Sequence, residues 1–173
     1  MVDCGEKWGI IVFIGEYHHT IDEKGRIIIP AKFREGLGDS FIVTRGIENC
    51  LFVYSLNNWN EICDKLNLLP FTKKDARNFI RFFMSGATTV ELDKQGRINI
   101  LSPLISYAGL QKDCVIIGTG DRLEIWAEDA WCEFFNSTKD NMSDIAENIF
   151  NESVGIWWKK NILAFYLMNL FPP

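Results

Sequence analysis

Twice in this chain, apolar and polar positions alternate on either side of a short turn. Val90 and Leu92 alternate with Thr89 and Glu91 before Lys94-Gln95-Gly96-Arg97, and Ile98 and Ile100 alternate with Asn99 after it. A period of two marks strands with one buried face, so the segment predicts a β-hairpin. Residues 17–29, YHHTIDEKGRIII, align without a gap on residues 88–100, TTVELDKQGRINI. The alignment places Asp22 on Asp93, Gly25 on Gly96 and Arg26 on Arg97. Each turn puts its glycine where a positive φ is needed, a conformation that costs a side-chain-bearing residue energy.

The likeness continues beyond the turns, and an internal repeat of this kind decides the fold. A stretch with helical spacing (residues 31–37 and 103–110) leads to an apolar run (41–44 and 114–117). Gly46 and Gly118 follow, then a second run (51–54 and 123–126), then Trp59 and Trp131. Each copy therefore reads as β-hairpin, short helix, two strands and a helix, which gives an α+β, β-rich fold built from two tandem units. Pro30 suits the first turn of its short helix, where a missing N–H costs nothing.

The expected organisation is an N-terminal extension (1–12), a first unit (16–59), a helical connection (60–86), a second unit (87–131), C-terminal helices (132–152) and a hydrophobic tail (153–173). In the connection, Thr72 and Asp75 resemble a capping box. Phe79, Ile80, Phe82 and Phe83 form an apolar face there, with Lys73, Lys74, Arg77 and Arg81 elsewhere. Four-strand units with exposed edges seldom stand alone, so the copies are expected to pack together about a pseudo-two-fold and the pairs to assemble further.

Composition agrees with a folded protein: 173 residues, 47% hydrophobic, 24% charged. Thirteen Phe and six Trp are more aromatic area than so small a monomer easily hides, and some fits a subunit interface. The five cysteines (Cys4, Cys50, Cys63, Cys114, Cys132) form no Cys-x-x-Cys pair and read as free thiols of a reducing cytosol. Residues 9–14 are apolar but lack the basic flank of a secretory signal. The tail's longest uncharged run, residues 161–173, is short of the roughly 20 residues that span a bilayer. It fits an interfacial helix, a subunit contact or an extension without function, and no membrane is expected as a partner.

A net charge of -5 argues against a general nucleic-acid glue, because non-specific affinity is largely lysine and arginine neutralising phosphate. Residues 13–82 carry 10 Lys and Arg against 9 Asp and Glu, whereas residues 83–152 carry 5 against 12. An anionic partner should prefer the first half, and loss of Arg26 should then weaken binding more than loss of Arg97.

Across a tight turn, Asp22 and Arg26 can meet side by side, as can Asp93 and Arg97. The carboxylate can also accept turn N–H groups, so aspartate fixes the turn and aims the guanidinium. Arginine reads guanine O6 and N7 bidentately, and a two-stranded ribbon is among the elements that fit the major groove. The plain alternative is a solvated hairpin with a structural salt bridge. Recurrence in both copies favours function without separating the two. Lys24, Lys32 and Arg34 near the first turn are candidates for phosphate contacts. The candidate DNA-contacting set is Asp22, Lys24, Gly25, Arg26, Lys32, Arg34, Asp93, Lys94, Gly96 and Arg97.

At these residues the chain resembles the MraZ family. The stretches VFIGEYHHTIDEKGRIIIPAKFRE, DKQGRINI and GDRLEIWAEDAW carry the likeness, which covers about residues 12–152. The resemblance implies two swapped-hairpin units of the SpoVT/AbrB type. It further implies a cytoplasmic, nucleoid-associated regulator, encoded at the head of the bacterial division and cell-wall gene cluster. Such a regulator forms a ring oligomer that binds short GT-rich direct repeats in its own promoter, with Arg26 and Arg97 at the DNA-reading positions. Leu101 stands where the family has proline, which bears on the start of the helix there. Identical hairpins on a ring would gain affinity by avidity without a new kind of contact.

Other chemistries find little support. His18 and His19, the only histidines, are strand neighbours pointing to opposite faces, which disfavours a shared metal site. Gly118-Thr119-Gly120-Asp121 lacks the Gly-Lys-Ser/Thr ending of a phosphate loop and reads as a strand connection. No Gly-x-Ser-x-Gly or His-Glu-x-x-His occurs, and neither an enzyme activity, a cofactor nor a small-molecule substrate is expected. The alternative function is a protein-interaction or antitoxin-like ring whose Asp–Arg hairpins hold subunits together.

Overall fold

The computed structural model describes residues 13–149. The expected extension (1–12), the hydrophobic tail (153–173) and the last residues of the C-terminal helices lie outside them.

The elements follow the predicted order twice. The first copy supplies β1 (Phe13–Thr20), β2 (Arg26–Ile28), α1 (Ala31–Leu37), β3 (Ser40–Arg45), β4 (Leu51–Ser55) and α2 (Leu56–Asn67). After α3 (Lys74–Met84) come β5 (Thr88–Glu91), β6 (Arg97–Asn99), α4 (Ser102–Tyr107), β7 (Asp113–Gly120), β8 (Leu123–Ala127) and α5 (Glu128–Lys139). Contacts divide the chain into residues 1–131 and residues 132–173. In the second of these, residues 142–149 are helical.

Six strands form one antiparallel sheet in the order β1-β7-β8-β4-β3-β5, and β2 pairs with β6 in a separate two-stranded ribbon. Matching strands by the sequence repeat, the sheet order reads the same in both directions. The two strands flanking each turn do not form a private hairpin ladder. The strand before the first turn, β1, lies on β7 of the second copy, and β5 lies on β3 of the first. Within the first hairpin only the Ile21–Ile27 bridge remains. The local hairpin ladder expected from the alternation gives way to an exchange, in keeping with the swapped-hairpin units that the family resemblance implies: a four-residue turn holds the ends together while the arms pair with the other copy.

The alternation assigns the two faces of the sheet. Leu51 and Val53 of β4, Cys114 and Ile116 of β7, and Leu123 and Ile125 of β8 enter one core with Ile27, Ile29, Ile98 and Ile100 of the ribbon and Phe33 and Leu104 of α1 and α4. The intervening Phe52, Tyr54, Val115 and Trp126 enter a second core, with Leu66 of α2 and Phe83 of α3. Because the strands bury side chains on both faces, residues 51–54 and 123–126 read as continuous apolar runs. Two buried polar residues border the second core: Thr44 donates its hydroxyl to the Phe83 carbonyl at 2.6 Å, and Glu124 carries the one buried charge among the described residues. Glu124 is buried, accepts from the guanidinium of Arg122 at 2.8 Å and from the Trp126 indole N–H at 3.1 Å, and sits opposite Phe52 at the β4–β8 seam. Arg122 lies 4.4 Å over the Phe52 ring, so the charge is paired and roofed rather than orphaned.

Several local expectations change. The Thr72–Asp75 capping box is absent: α3 starts at Lys74 with no side-chain cap. Arg77 instead ties the preceding turn by donating to the carbonyls of Phe71 and Thr72. Pro30 occupies the cap position, one residue ahead of the first turn. The Leu101 substitution leaves the helix start intact. Leu101 takes φ -67 and ψ 142, against -50 and 133 for Pro30, and each carbonyl accepts from the amide three residues on. Gly118 and Gly120 belong to β7, and the backbone of Phe13 and Ile14 approaches Gly118 so closely that no Cβ would fit.

Candidate nucleic-acid interface

Both Asp-x-x-Gly-Arg turns have the same hydrogen bonds. Asp22 donates its amide to the Arg26 carbonyl at 2.9 Å and accepts from the Gly25 amide at 2.9 Å; Asp93, Arg97 and Gly96 repeat this at the same distances. Asp22 Oδ1 accepts from the amides of Lys24 and Arg26, both at 2.9 Å. Asp93 Oδ1 accepts from those of Gln95 and Arg97 at 2.8 and 2.9 Å. The second carboxylate oxygen takes the guanidinium: Arg26 Nε at 2.7 Å and Nη2 at 2.6 Å on Asp22, Arg97 Nε at 2.8 Å and Nη2 at 2.7 Å on Asp93.

Each arginine is therefore bound side-on through Nε and Nη2. Among the described residues, Nη1 of neither arginine has a partner. The outer edge, one N–H from each Nη, stays available for a bidentate acceptor, the geometry that O6 and N7 of guanine present. The side chains of Arg26 and Arg97 are 35% and 25% exposed, so both remain partly open to solvent.

Electrostatics matches this geometry. The hydrogen bond from Arg26, helped by the turn amides, holds the Asp22 carboxyl at about 2, well below its ordinary 3.8. The Arg97 amide and guanidinium hold Asp93 at about 2 in the same way. Both carboxylates are therefore charged at neutral pH. Arg26 is raised by its bond to Asp22 and also feels the attraction of Asp93, so the tips share one field.

The ribbon explains that proximity. Ile27 pairs with Ile98, flanked by Arg26 with Asn99 and by Ile28 with Arg97. The Ile29 amide donates to the Gly96 carbonyl at 2.9 Å, and the Ile100 amide to the Gly25 carbonyl at 2.8 Å. Each copy's chain thus closes over the other copy's turn glycine. Gly25 (φ +76) and Gly96 (φ +74) need positive φ, and both are covered by neighbours. A Cβ on Gly25 would meet the Ile100 carbonyl and the Ile105 side chain; one on Gly96 would occupy the space held by the Arg34 guanidinium.

Of the ten expected site residues, the six Asp, Gly and Arg of the two turns come together at the ribbon. Lys24 and Lys94 are exposed on the turns, and Lys32 is exposed in the first turn of α1. Arg34 differs from a free surface cation: it is half-buried, donates Nε to the Ile29 carbonyl at 2.8 Å, and lies on the second copy's Gly96. Sequence reasoning missed Ile105, the residue that covers Gly25. Extending the repeat alignment would have found it, since Ile105 stands where the first copy has Arg34.

His18 is exposed and bridges Glu16 and Glu128 at 3.1 Å each, while His19 on the other face is held below its ordinary value by burial, Arg34 and His18. A cleft of about 280 Å³ on the far face of the sheet is lined mainly by Phe52, Tyr54, Ile62, Leu66, Phe79 and Phe83. Among the described residues, no helix is long and apolar enough to cross a membrane.

Residues 12–82 and again residues 83–152 match the family described as "MraZ protein, putative antitoxin-like". A relative from Ligilactobacillus salivarius (strain UCC118), named "Transcriptional regulator MraZ", is 58% identical over 140 residues, which is 81% of this chain and 98% of that protein. Two matched repeats, which together span the described fold, and a relative of this similarity identify the chain as a member of the MraZ family.

Proposed function

We propose that the protein is a sequence-specific DNA-binding transcriptional regulator, acting in the cytoplasm on the nucleoid, whose Arg26 and Arg97 read base edges in the major groove. The observation that carries this reading is the paired side-on Asp–Arg fork, which fixes each guanidinium and leaves its bidentate outer edge unoccupied. The arrangement recurs at both tips of one shared ribbon, which favours a functional role over an isolated structural salt bridge.

The name of the Ligilactobacillus relative supports a regulatory role. In this reading Asp22 and Asp93 orient the arginines, Gly25 and Gly96 permit the turns, and Lys24, Lys32, Arg34 and Lys94 neutralise phosphate. The two repeats act as units 16–59 and 87–131 joined by the helical connection 60–86. Several protomers in a ring present their ribbons to direct repeats upstream of the protein's own gene, at the head of a division and cell-wall cluster. Avidity then offsets the net negative charge of each protomer.

The test is a fluorescence-anisotropy titration of the full chain against duplex DNA from upstream of its own gene, with native mass measured in parallel. In Arg26→Ala/Arg97→Ala, binding should fall by roughly 100-fold, as expected for two lost bidentate contacts, while the assembly mass stays that of wild type. An assembly that dissociates with unchanged DNA affinity per protomer would favour the interaction-module alternative.

A further inference from the structure

The two tips share a backbone and differ in what covers them. On the first, Ile105 of α4 packs over Gly25; on the second, Arg34 of α1 packs over Gly96. The two helices have the same pattern of buried and exposed positions, and Arg34 and Ile105 stand at equivalent places in it. The turns differ in the same direction. The first carries Glu23 and Lys24, which offset one another; the second carries Lys94 and Gln95. Counting the fork residues, the first tip is neutral, whereas the second has one net positive charge and gains a further one from Arg34.

Arg34 is not neutralised. Its Nε is engaged by the Ile29 carbonyl at 2.8 Å, and among the described residues no carboxylate pairs with it. Arg26, Arg97 and Arg122 each have such a partner. A guanidinium held against a turn by a backbone bond, with its charge uncompensated, is placed to attract phosphate beside the base-reading arginine.

We infer that Arg34 is a positioning residue for the second tip, and that it makes the protomer's two DNA-facing hairpins unequal. The Arg97 tip anchors on phosphate through Arg34 and Lys94, whereas at the Arg26 tip Glu23 offsets Lys24 and the local attraction is weaker. A protomer with equal tips would accept a half-site in either orientation. One with a cationic tip and a neutral tip docks in one polarity, and polarity is what a series of head-to-tail repeats requires. The inference rests on the DNA-binding reading above.

The experiment measures affinity for the upstream duplex as a function of salt for full-length wild type, Arg34→Ile, Arg34→Lys and Ile105→Arg, each with its melting temperature. Arg34→Ile copies what the first tip already tolerates, so it should fold and melt near wild type. It should lose roughly five-fold or more in affinity and lower the salt slope by about 1 per engaged protomer. Arg34→Lys should recover the slope, and Ile105→Arg should steepen it. If Arg34→Ile changes melting but leaves affinity and slope at wild-type values, Arg34 is a packing residue and the inference falls, while the DNA-binding reading stands on its dependence on Arg26 and Arg97. Wild type that fails to bind the duplex would remove both.

Discussion

Ile27 and Ile98 are cross-strand partners at the centre of the β2–β6 ribbon, each at the same position of its own copy and each essentially fully buried. This pair lies at the centre of the contacts that join the two tips, beside the Ile29–Gly96 and Ile100–Gly25 hydrogen bonds. Replacing either by alanine should cost about 3 kcal/mol, within the usual range for a buried isoleucine. The double variant should cost less than the sum, because the residues touch. Urea denaturation measures both; a single-variant loss under about 1 kcal/mol would mean that the ribbon contributes little to the fold.

The turns should show a distinctive acid limb. Asp22 and Asp93 are held at about 2 against an ordinary 3.8, so the folded state favours their charged forms. That contribution is fully in place above the ordinary value and is lost as pH falls through the window between about 4 and 2. Carboxyl-carbon NMR titration should give both midpoints near 2, and Asp22→Asn/Asp93→Asn should flatten the fall of melting temperature across this window. Midpoints near 3.8 would mean that the forks open in solution.

Glu124 is the one carboxylate buried in the sheet, held by Arg122 and the Trp126 indole. Removing one partner of a buried pair strands the other, but Arg122 retains some solvent contact, so Glu124→Ala should destabilise by about 2 kcal/mol rather than the larger losses of fully enclosed pairs. Glu124→Gln keeps an acceptor for the indole and should lose less. Thermal melts compare the two; equal losses would show that the charge, not the hydrogen bond, matters.

The order of the tip arginines should depart from the one that halves of the sequence suggest. Counting charge along the chain gives Arg26 the stronger field. The exchange of hairpins puts both arginines on one ribbon, where Arg26 also feels the acid of the other tip, and covers the second tip with a cation from the first copy. Arg97→Ala should therefore weaken DNA binding at least as much as Arg26→Ala. Single-variant titrations at one salt concentration decide this, and a markedly larger loss for Arg26→Ala would restore the sequence-half argument.

Much of this was legible in the sequence. The recurring Asp, Gly and Arg mark the turns because few residues satisfy their backbone, and the apolar runs at 51–54 and 123–126 mark strands buried on both faces. Which strand each arm pairs with was hidden from local reading. Alternation reports a buried face and says nothing about the hydrogen-bonding edge, so β1 looked like the partner of β2 when it lies on β7. For the same reason Arg34 looked like a surface cation of its own copy. Its contact is with Gly96, 62 positions away in the chain, and follows only once the exchange is known. The capping box at Thr72 misled because the adjacent backbone found Arg77 instead.

Methylation interference tests the central claim most directly. Guanine N7 methylated by dimethyl sulfate cannot accept an arginine N–H, so modification at a guanine read by Arg26 or Arg97 should block binding by wild type. In Arg26→Ala, interference should vanish at one guanine of each half-site and persist at another; in Arg97→Ala the two should exchange roles. Interference that is absent in wild type, or unchanged in both variants, would contradict base reading by these arginines.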